Sequence, residues 1–179
     1  VGVSGVRGVV GVSFTPQLAA TFAQAFGTFV GPGPVLVGRD TRPTGAMIEQ
    51  AVIAGLQSVG CAPILAGIAP TPSLLMMTPV IGARGGIAIT ASHNPADWNA
   101  LKFIGPDGLF ISELRAQELF DIYHQQDFPL VAENEIRRTR IEPYPTADHF
   151  KRILRYVDAR RIRRRKLKVA IDCCNGVGA

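Results

Sequence analysis

The sequence predicts a three-layer α/β/α fold on a mostly parallel, mixed sheet, followed by the start of a second α/β domain. Three observations carry this. The runs Val35-Leu36-Val37, Pro63-Ile64-Leu65-Ala66 and Gly86-Ile87-Ala88-Ile89 are continuously apolar, as in strands covered on both faces. Between them lie amphipathic stretches of helical length, two of them opened by Thr-Pro. Strand and helix signals alternate, the pattern of βαβ units.

Residues 6–10 read as a first strand after a glycine-rich turn. Arg7 lies where turn meets strand, with Gly5 and Gly8 on either side. Glycines let a phosphate approach the backbone, and the guanidinium offers a planar fork to its oxygens. The alternative is a surface arginine in a hairpin. Thr15-Pro16 opens a helix to about Val30, with Leu18, Phe22, Phe26 and Phe29 as its core stripe, and Gly31-Pro32-Gly33-Pro34 stops it.

The second strand, Val35-Leu36-Val37, ends in Gly38-Arg39-Asp40-Thr41-Arg42. Asp40 and the two arginines are expected to pair with one another and brace a site rather than to do chemistry. Thr44 reads as the cap of a helix to about Ser58, with Ile48, Val52 and Leu56 inward. The third strand follows at 63–66, then a Thr71-capped helix with Pro72 in its first turn, running to about Ile81.

The fourth strand runs out into Thr90-Ala91-Ser92-His93-Asn94-Pro95. Pro95 cannot continue a ladder and biases Asn94 toward an extended or turn conformation. Ser92 therefore sits at the carboxyl end of a buried strand, where open α/β sheets bind ligands. A serine beside a histidine there is a candidate nucleophile; the alternative is an ordinary polar turn. Ten residues on, Lys102 alternates with Leu101 and Phe103, which puts the cation on the opposite strand face from them. A hydroxyl and a nearby cation suit chemistry on a phosphate ester.

Gly105-Pro106-Asp107-Gly108 reads as a turn into a short strand at Phe110-Ile111, a hairpin with antiparallel pairing. Ser112 caps a helix to about Gln125; residues 127–145, with three prolines, read as loop or linker. A helix at 146–156 and a strand at 167–172 follow, then Asn175-Gly176-Val177-Gly178 as the turn of a new βα unit. The expected division is 1–140 for the first domain and 141–179 for a linker helix and the first strand of the second.

The chain has 179 residues and a net charge of +5. That charge is local: residues 1–150 hold nine Lys/Arg against twelve Asp/Glu, and residues 151–179 hold ten against two. The basic 151–168 stretch could serve a nucleic-acid-binding or non-catalytic module, but no aromatic platform is interleaved with it; a solvated face and linker is the preferred reading. Cys61, Cys173 and Cys174 make no disulfide framework or metal spacing, as expected of reduced thiols in a cytoplasmic protein. No membrane span is expected, and the start lacks the layout of a signal peptide. Val1 stands where a Met would be, so leading residues are expected to precede it. A serine hydrolase is the other enzymatic alternative, but Gly-x-Ser-x-Gly is absent around Ser92.

Thr90 to Pro95 followed by Trp98-Asn99-Ala100-Leu101-Lys102-Phe103 resembles the active-site loop of the α-D-phosphohexomutases: phosphoglucomutase, phosphomannomutase and phosphoglucosamine mutase. Ser4-Gly5-Val6-Arg7-Gly8 and Val37-Gly38-Arg39-Asp40-Thr41-Arg42 resemble two further segments of that family, in the same order. The resemblance implies that Ser92 is carried as a phosphoserine. It passes its phosphoryl group to a hexose phosphate through a hexose 1,6-bisphosphate, moving phosphate between the 1- and 6-positions. It further implies Lys102 as general acid/base, Arg7 on the phosphate, His93 assisting proton handling or orienting the loop, and Asn94 in the loop's shape and phosphate binding. Mg²⁺ would bind the phosphate on Ser92, its remaining ligands lying in the family's Asp-rich loop, which this sequence does not contain. The 179-residue chain is accordingly expected to be inactive alone; the sugar and the oligomeric state are left open.

Overall fold

In the computed structural model, residues 5–178 are described. Ser4 of the amino-terminal motif lies outside them. A six-stranded sheet in the order β1-β5-β4-β2-β3-β6 forms the middle layer. Its strands are β1 (Val6–Val9), β2 (Pro34–Arg39), β3 (Ala62–Ile68), β4 (Gly85–Ile89), β5 (Trp98–Ile104) and β6 (Arg140–Ile141). β2 pairs in parallel with both β3 and β4, whereas β5 runs antiparallel to β4 and to the edge strand β1. The mixed sheet is thus as expected, with its antiparallel part confined to one side.

Alternation along the buried strands splits the core in two. Val35 and Val37, Ile87 and Ile89, and Leu101 and Phe103 point to one face. There they meet α1 (Pro16–Val30), α2 (Gly45–Ser58) and α4 (Glu113–Gln125). An aromatic group ties this layer: Phe26 stacks on Phe103 at 5.0 Å between centroids, and Phe22 on Tyr123 at 3.8 Å. Leu36, Ala88 and Ile104 point to the other face, against Leu74 and Met77 of α3 (Thr71–Val80). The chain therefore goes from β2 to β3 over one face through α2. It returns past β2 to β4 over the other face through α3. Two crossovers on opposite faces leave a crevice beyond the carboxyl ends of β2 and β4, the place where such sheets bind ligands.

Local signals behave unevenly. Thr15 caps α1, its Oγ1 accepting from the Leu18 N–H at 3.2 Å, and Ser112 caps α4 through the Arg115 N–H at 3.4 Å. Thr44 does not cap α2: its hydroxyl accepts from Asn99 Nδ2 at 3.0 Å instead, a tertiary bond to a wholly buried side chain. Pro70, not Thr71, is the cap residue of α3. The hairpin expected around 105–111 is reduced to one bridge between Ile104 and Phe110. Residues 140–141, expected to be loop at the domain boundary, pair in parallel with β3. Gly5 has φ +119, and a Cβ there would stand 2.0 Å from the Leu101 oxygen, so only glycine lets β1 begin where it does.

The expected strand at 167–172 does not form. Leu167, Val169 and Ile171 are exposed, and no strand among the described residues lies beside them. A lone strand leaves its ladder groups unpaired, so apolar alternation has nothing to fold against. The helix expected at 146–156 is shorter, α5 (Ala147–Ile153), and the basic stretch forms the exposed turn-and-a-half α6 (Ala159–Arg164). No helix among the described residues is long and apolar enough to cross a membrane.

Cys61 is buried, and desolvation pushes its thiol from the usual 9.0 up to about 11, against the pull of the Gly33 backbone and Arg137. Cys174 is exposed and Cys173 partly so. The native chain should therefore take two alkylating groups at pH 8 and a third only after denaturation, as counted by mass spectrometry. Because the folded state holds the Cys61 proton more tightly, that contribution to stability is complete below pH 9 and is lost as pH rises toward 11. Rapid native labelling of Cys61 would contradict the packing described.

Candidate active site

The site is built on the loop between β4 and β5. Its first residue, Thr90, still donates its N–H to the Ala100 oxygen at 3.0 Å, continuing the antiparallel pairing past the end of β4. The chain then leaves the sheet. Ser92 takes φ +58, a left-handed conformation that is uncommon for a residue with a Cβ. Its side chain is exposed, and its Oγ lies 3.4 Å from Nδ1 of the exposed His93. The expected nucleophile and its neighbouring proton carrier are therefore in hydrogen-bond reach.

What shapes this loop comes from the end of β2. The Asp40 N–H donates to the Ile89 oxygen at 3.1 Å, which locks the two strand ends together. Asp40 Oδ2 accepts from the Thr90 hydroxyl at 2.7 Å and from Arg42 Nε at 3.0 Å; Oδ1 accepts from the Arg42 N–H at 3.0 Å. Thr90 Oγ1 in turn accepts from the Ser92 N–H at 3.2 Å. The Arg42 guanidinium fills the loop's interior. Nη2 donates to the oxygens of Ser92 at 3.0 Å and Asn94 at 2.7 Å, and Nη1 to those of Trp98 at 3.0 Å and Pro95.

Magnitudes decide why the strained conformation persists. A left-handed residue with a Cβ costs roughly 1–2 kcal/mol. A hydrogen bond from a charged donor contributes about 1.5–3 kcal/mol, and four loop carbonyls receive one. The Arg42 side chain is only 10% exposed, so its charge would be costly without Asp40 beside it. The expected bracing by this segment is correct for Asp40 and Arg42. Arg39 differs: it pairs with Glu49 of α2 at 3.3 Å, away from the loop.

Lys102 and Arg7 are brought together by register. Arg7 stands opposite Ala100, two residues from Lys102, and Lys102 stands opposite Ala88. By register both residues point to the α3 face, diagonal neighbours with Cα atoms roughly 7–8 Å apart, but Arg7, on the edge strand, also lines a cavity with Leu18 and Phe22 of α1 and Phe120, Tyr123 and His124 of α4. Thr90 pairs with Ala100 from the β4 side, yet neither Arg7 nor Lys102 is among the residues lining the cleft onto which Ser92 opens. Arg7 is exposed; Lys102 is half-buried, with Nζ 5.7 Å from the centroid of the Phe110 ring. No hydrogen bond joins Lys102 to Ser92 among the described residues. Asn94 contributes through its backbone, donating to the Ala91 oxygen at 3.2 Å, while its buried Oδ1 has no partner.

Thr90, Ser92 and Asp40 open onto a cleft of about 380 Å³ walled by Pro70, Thr71 and Pro72 at the start of α3 and by residues 174–177. Thr41 Oγ1 donates to the Asn175 oxygen at 2.6 Å across it. Sequence reading missed this wall. The Asn-Gly turn was legible at 175–178, but nothing local says that it folds back over the strand ends.

Mg²⁺ prefers octahedral oxygen ligands, commonly one or two carboxylates plus phosphate oxygens and water. Among the described residues no three His, Cys, Asp or Glu side chains gather, and Asp40 spends both oxygens on Arg42 and Thr90. The residues here do not make a Mg²⁺ site by themselves; a phosphate on Ser92 would offer a single ligand.

Residues 1–130 match the family described as phosphoglucomutase/phosphomannomutase, alpha/beta/alpha domain I. The chain is 37% identical over 180 residues to a phosphoglucosamine/phosphogalactosamine mutase of Sulfurisphaera tokodaii, covering 99% of this chain and 40% of that protein. It is 38% identical over 187 residues to a phosphoglucomutase/phosphomannomutase of Thermococcus kodakarensis, with the same coverage. The chain thus spans about 40% of the length of the curated relatives it matches. Among solved structures it superposes with a TM-score of 0.77 on a Thermus thermophilus chain described as a candidate phosphomannomutase, at 27% identity over 89% of this chain and 36% of that one. A Burkholderia thailandensis phosphoglucomutase/phosphomannomutase family protein gives 0.67 at 26% identity, over 82% and 33% of the two chains.

The hydroxyl of Thr90 both donates to Asp40 and accepts from Ser92. Thr90→Val should leave the Ser92 N–H and one Asp40 interaction without a partner and cost about 1–3 kcal/mol in urea unfolding. Thr90→Ser keeps both bonds and should lie much closer to wild type. Equal stability of all three proteins would remove Thr90 from the account of the loop.

Proposed function

The chain belongs to the phosphoglucomutase/phosphomannomutase family, and on that premise we propose that it is the nucleophile-bearing, amino-terminal part of a phosphohexomutase. Its substrate is a hexose phosphate, and the reaction moves a phosphoryl group between the 1- and 6-hydroxyls. The observation that carries the reading is Ser92: an exposed hydroxyl, fixed at φ +58 beyond the end of a buried strand, with His93 Nδ1 at 3.4 Å. The domain that holds it is assigned to residues 1–140 and the lead into the next to 141–179, a boundary that β6 straddles.

In the resting enzyme Ser92 Oγ carries the phosphoryl group. A sugar hydroxyl attacks the phosphorus; the new P–O bond forms as the bond to Ser92 Oγ breaks. The attacking hydroxyl gives up its proton to a base, and Oγ takes one. The product is a hexose 1,6-bisphosphate, which turns over so that Ser92 attacks its other phosphate. Two proton carriers are at hand. Lys102 presents an ammonium on the α3 face, and His93 lies beside Oγ. Lys102 is assigned general acid/base and His93 the assisting role. Arg7, exposed on the same face as Lys102, is assigned to the phosphate oxygens, for which its planar fork is suited. Asn94 is assigned to phosphate binding, supported by its unpartnered Oδ1. Mg²⁺, were it bound through a phosphate on Ser92, would need its remaining ligands from outside the described residues, and the chemistry it would supply there is charge neutralisation. With no gathering of three metal-ligating side chains among the described residues and only about 40% of a relative's length, the 179-residue chain should show no turnover by itself.

Incubation of the complete enzyme with a hexose 1,6-bisphosphate should place one phosphate on Ser92, read by peptide mass spectrometry. Phosphate on another residue with Ser92 unmodified would end this assignment. Lys102→Ala in the complete enzyme should lower turnover by ~10²–10⁴-fold. Stability should change by no more than about 0.5 kcal/mol, because Lys102 lies opposite Leu101 and Phe103 and its loss leaves their packing intact. Unchanged turnover would move the proton transfer elsewhere, with His93 the next candidate.

A further inference from the structure

Arg42 stands beside Ser92, and a guanidinium so placed could in principle bind phosphate instead of bracing the loop. Its hydrogen bonds say otherwise. A guanidinium has five N–H donors. Nε–H is taken by Asp40 Oδ2, Nη1 by the oxygens of Trp98 and Pro95, and Nη2 by those of Ser92 and Asn94. All five are engaged, and the side chain is 10% exposed. For Arg42 to reach a phosphate it would have to release the loop that presents Ser92.

We propose that Arg42 is a positioning residue for Ser92: aimed by Asp40, it holds the loop's carbonyls and so fixes where Oγ points, without contacting substrate. Three features fit this role. The four carbonyls it holds come from residues 92 to 98, so one rigid plane spans the whole loop. Asp40 grips it at Nε and at its own backbone N–H, which leaves the guanidinium no freedom to swing. Asp40 also holds Thr90, which holds the Ser92 N–H, so the nucleophile is fixed from both of its peptide groups. Lysine cannot substitute, because one ammonium with three donors cannot meet four carbonyls and a carboxylate in a plane. The catalytic consequence rests on the phosphoryl-transfer reading of Ser92; the loop-holding role does not.

The 179-residue chain has a single tryptophan, Trp98, half-buried, whose oxygen is one of the four held by Arg42. Its acrylamide quenching therefore reports loop order without any assay of activity. In Arg42→Ala, quenching should rise severalfold, and the amides of Asn94 and Trp98 should exchange faster while those of Ile87 and Phe103 stay protected. Arg42→Lys should behave alike, which keeps the test sound if the alanine variant folds poorly. Added guanidinium ion at low, non-denaturing concentration should restore order to Arg42→Ala and not to Arg42→Lys. In the complete enzyme, kcat should fall by ~10²-fold, the scale expected when a reacting group is misplaced by an ångström, with KM nearly unchanged. Unaltered quenching and exchange in both variants would overturn the proposal. So would a raised KM with kcat intact, the mark of a lost phosphate contact. A wild-type enzyme without mutase turnover would instead overturn the functional reading, while the fluorescence and exchange still decide the role of Arg42.

Discussion

The ion pair between Asp40 and Arg42 is the interaction on which the site depends. It joins two strand ends that are neighbours because the chain, having gone from β2 to β3 over one face, returns past β2 to β4 over the other. Asp40 ends the middle strand of the parallel part, and Thr90 leaves the strand beside it. A carboxylate at one end and a guanidinium two residues on can reach the adjacent loop because parallel strands bring their carboxyl ends to the same edge. In an antiparallel pair the same residues would lie at opposite edges. The fold thus supplies the proximity, and a short polar segment turns it into a fixed loop geometry.

The antiparallel half of the sheet has a different part. β5 returns from the loop beside β4, and β1 lies outside it. Alternation on β5 sends Leu101 and Phe103 into the aromatic layer under α1 and α4, and Lys102 to the other face. The packing of one face therefore orients the cation on the other. Phe103, stacked on Phe26, is in this sense what keeps Lys102 on the α3 face. Gly5 lets β1 close against β5, and that pairing sets Arg7 beside Lys102. The cations are positioned by backbone register, whereas the nucleophile is positioned by side-chain hydrogen bonds.

Much of this was legible in the sequence. Continuous apolar runs marked β2, β3 and β4, since a strand covered on both faces needs no polar residue. Thr15-Pro16 and Ser112 gave helix starts, because a cap acts within one turn of chain. The motif around Ser92 gave the candidate nucleophile. What failed were features whose cause lies elsewhere in the chain. Thr44 looked like a cap, but buried Asn99 takes its hydroxyl. Residues 140–141 carry no strand signal and pair only because the edge of β3 is open to them. Residues 167–172 carry a good strand signal and do not pair, for want of a neighbour. Arg39 and Arg42 lie three residues apart in one polar segment, yet one serves α2 and the other the loop. Arg39 is the last residue of β2 and Arg42 lies beyond it in the loop, where Asp40 takes its Nε.

Charge completes the argument about roles. Phosphoryl transfer gathers negative charge, and stabilising it needs donors with free valence. Arg42 has none, and with Asp40 against it the pair is neutral overall. It can therefore shape the loop without drawing phosphate into its interior. Arg7 and Lys102 are the reverse: neither has a carboxylate partner among the described residues, and one is exposed and the other half-buried on the face that adjoins Ser92. Separating the arginine that builds the loop from the cations left open for the ligand lets the loop stay rigid whether or not phosphate is present. Under the proposed reading, a nucleophile that both gives and receives a phosphoryl group in one cycle would need that independence, because its Oγ has to return to the same place when its own charge has changed.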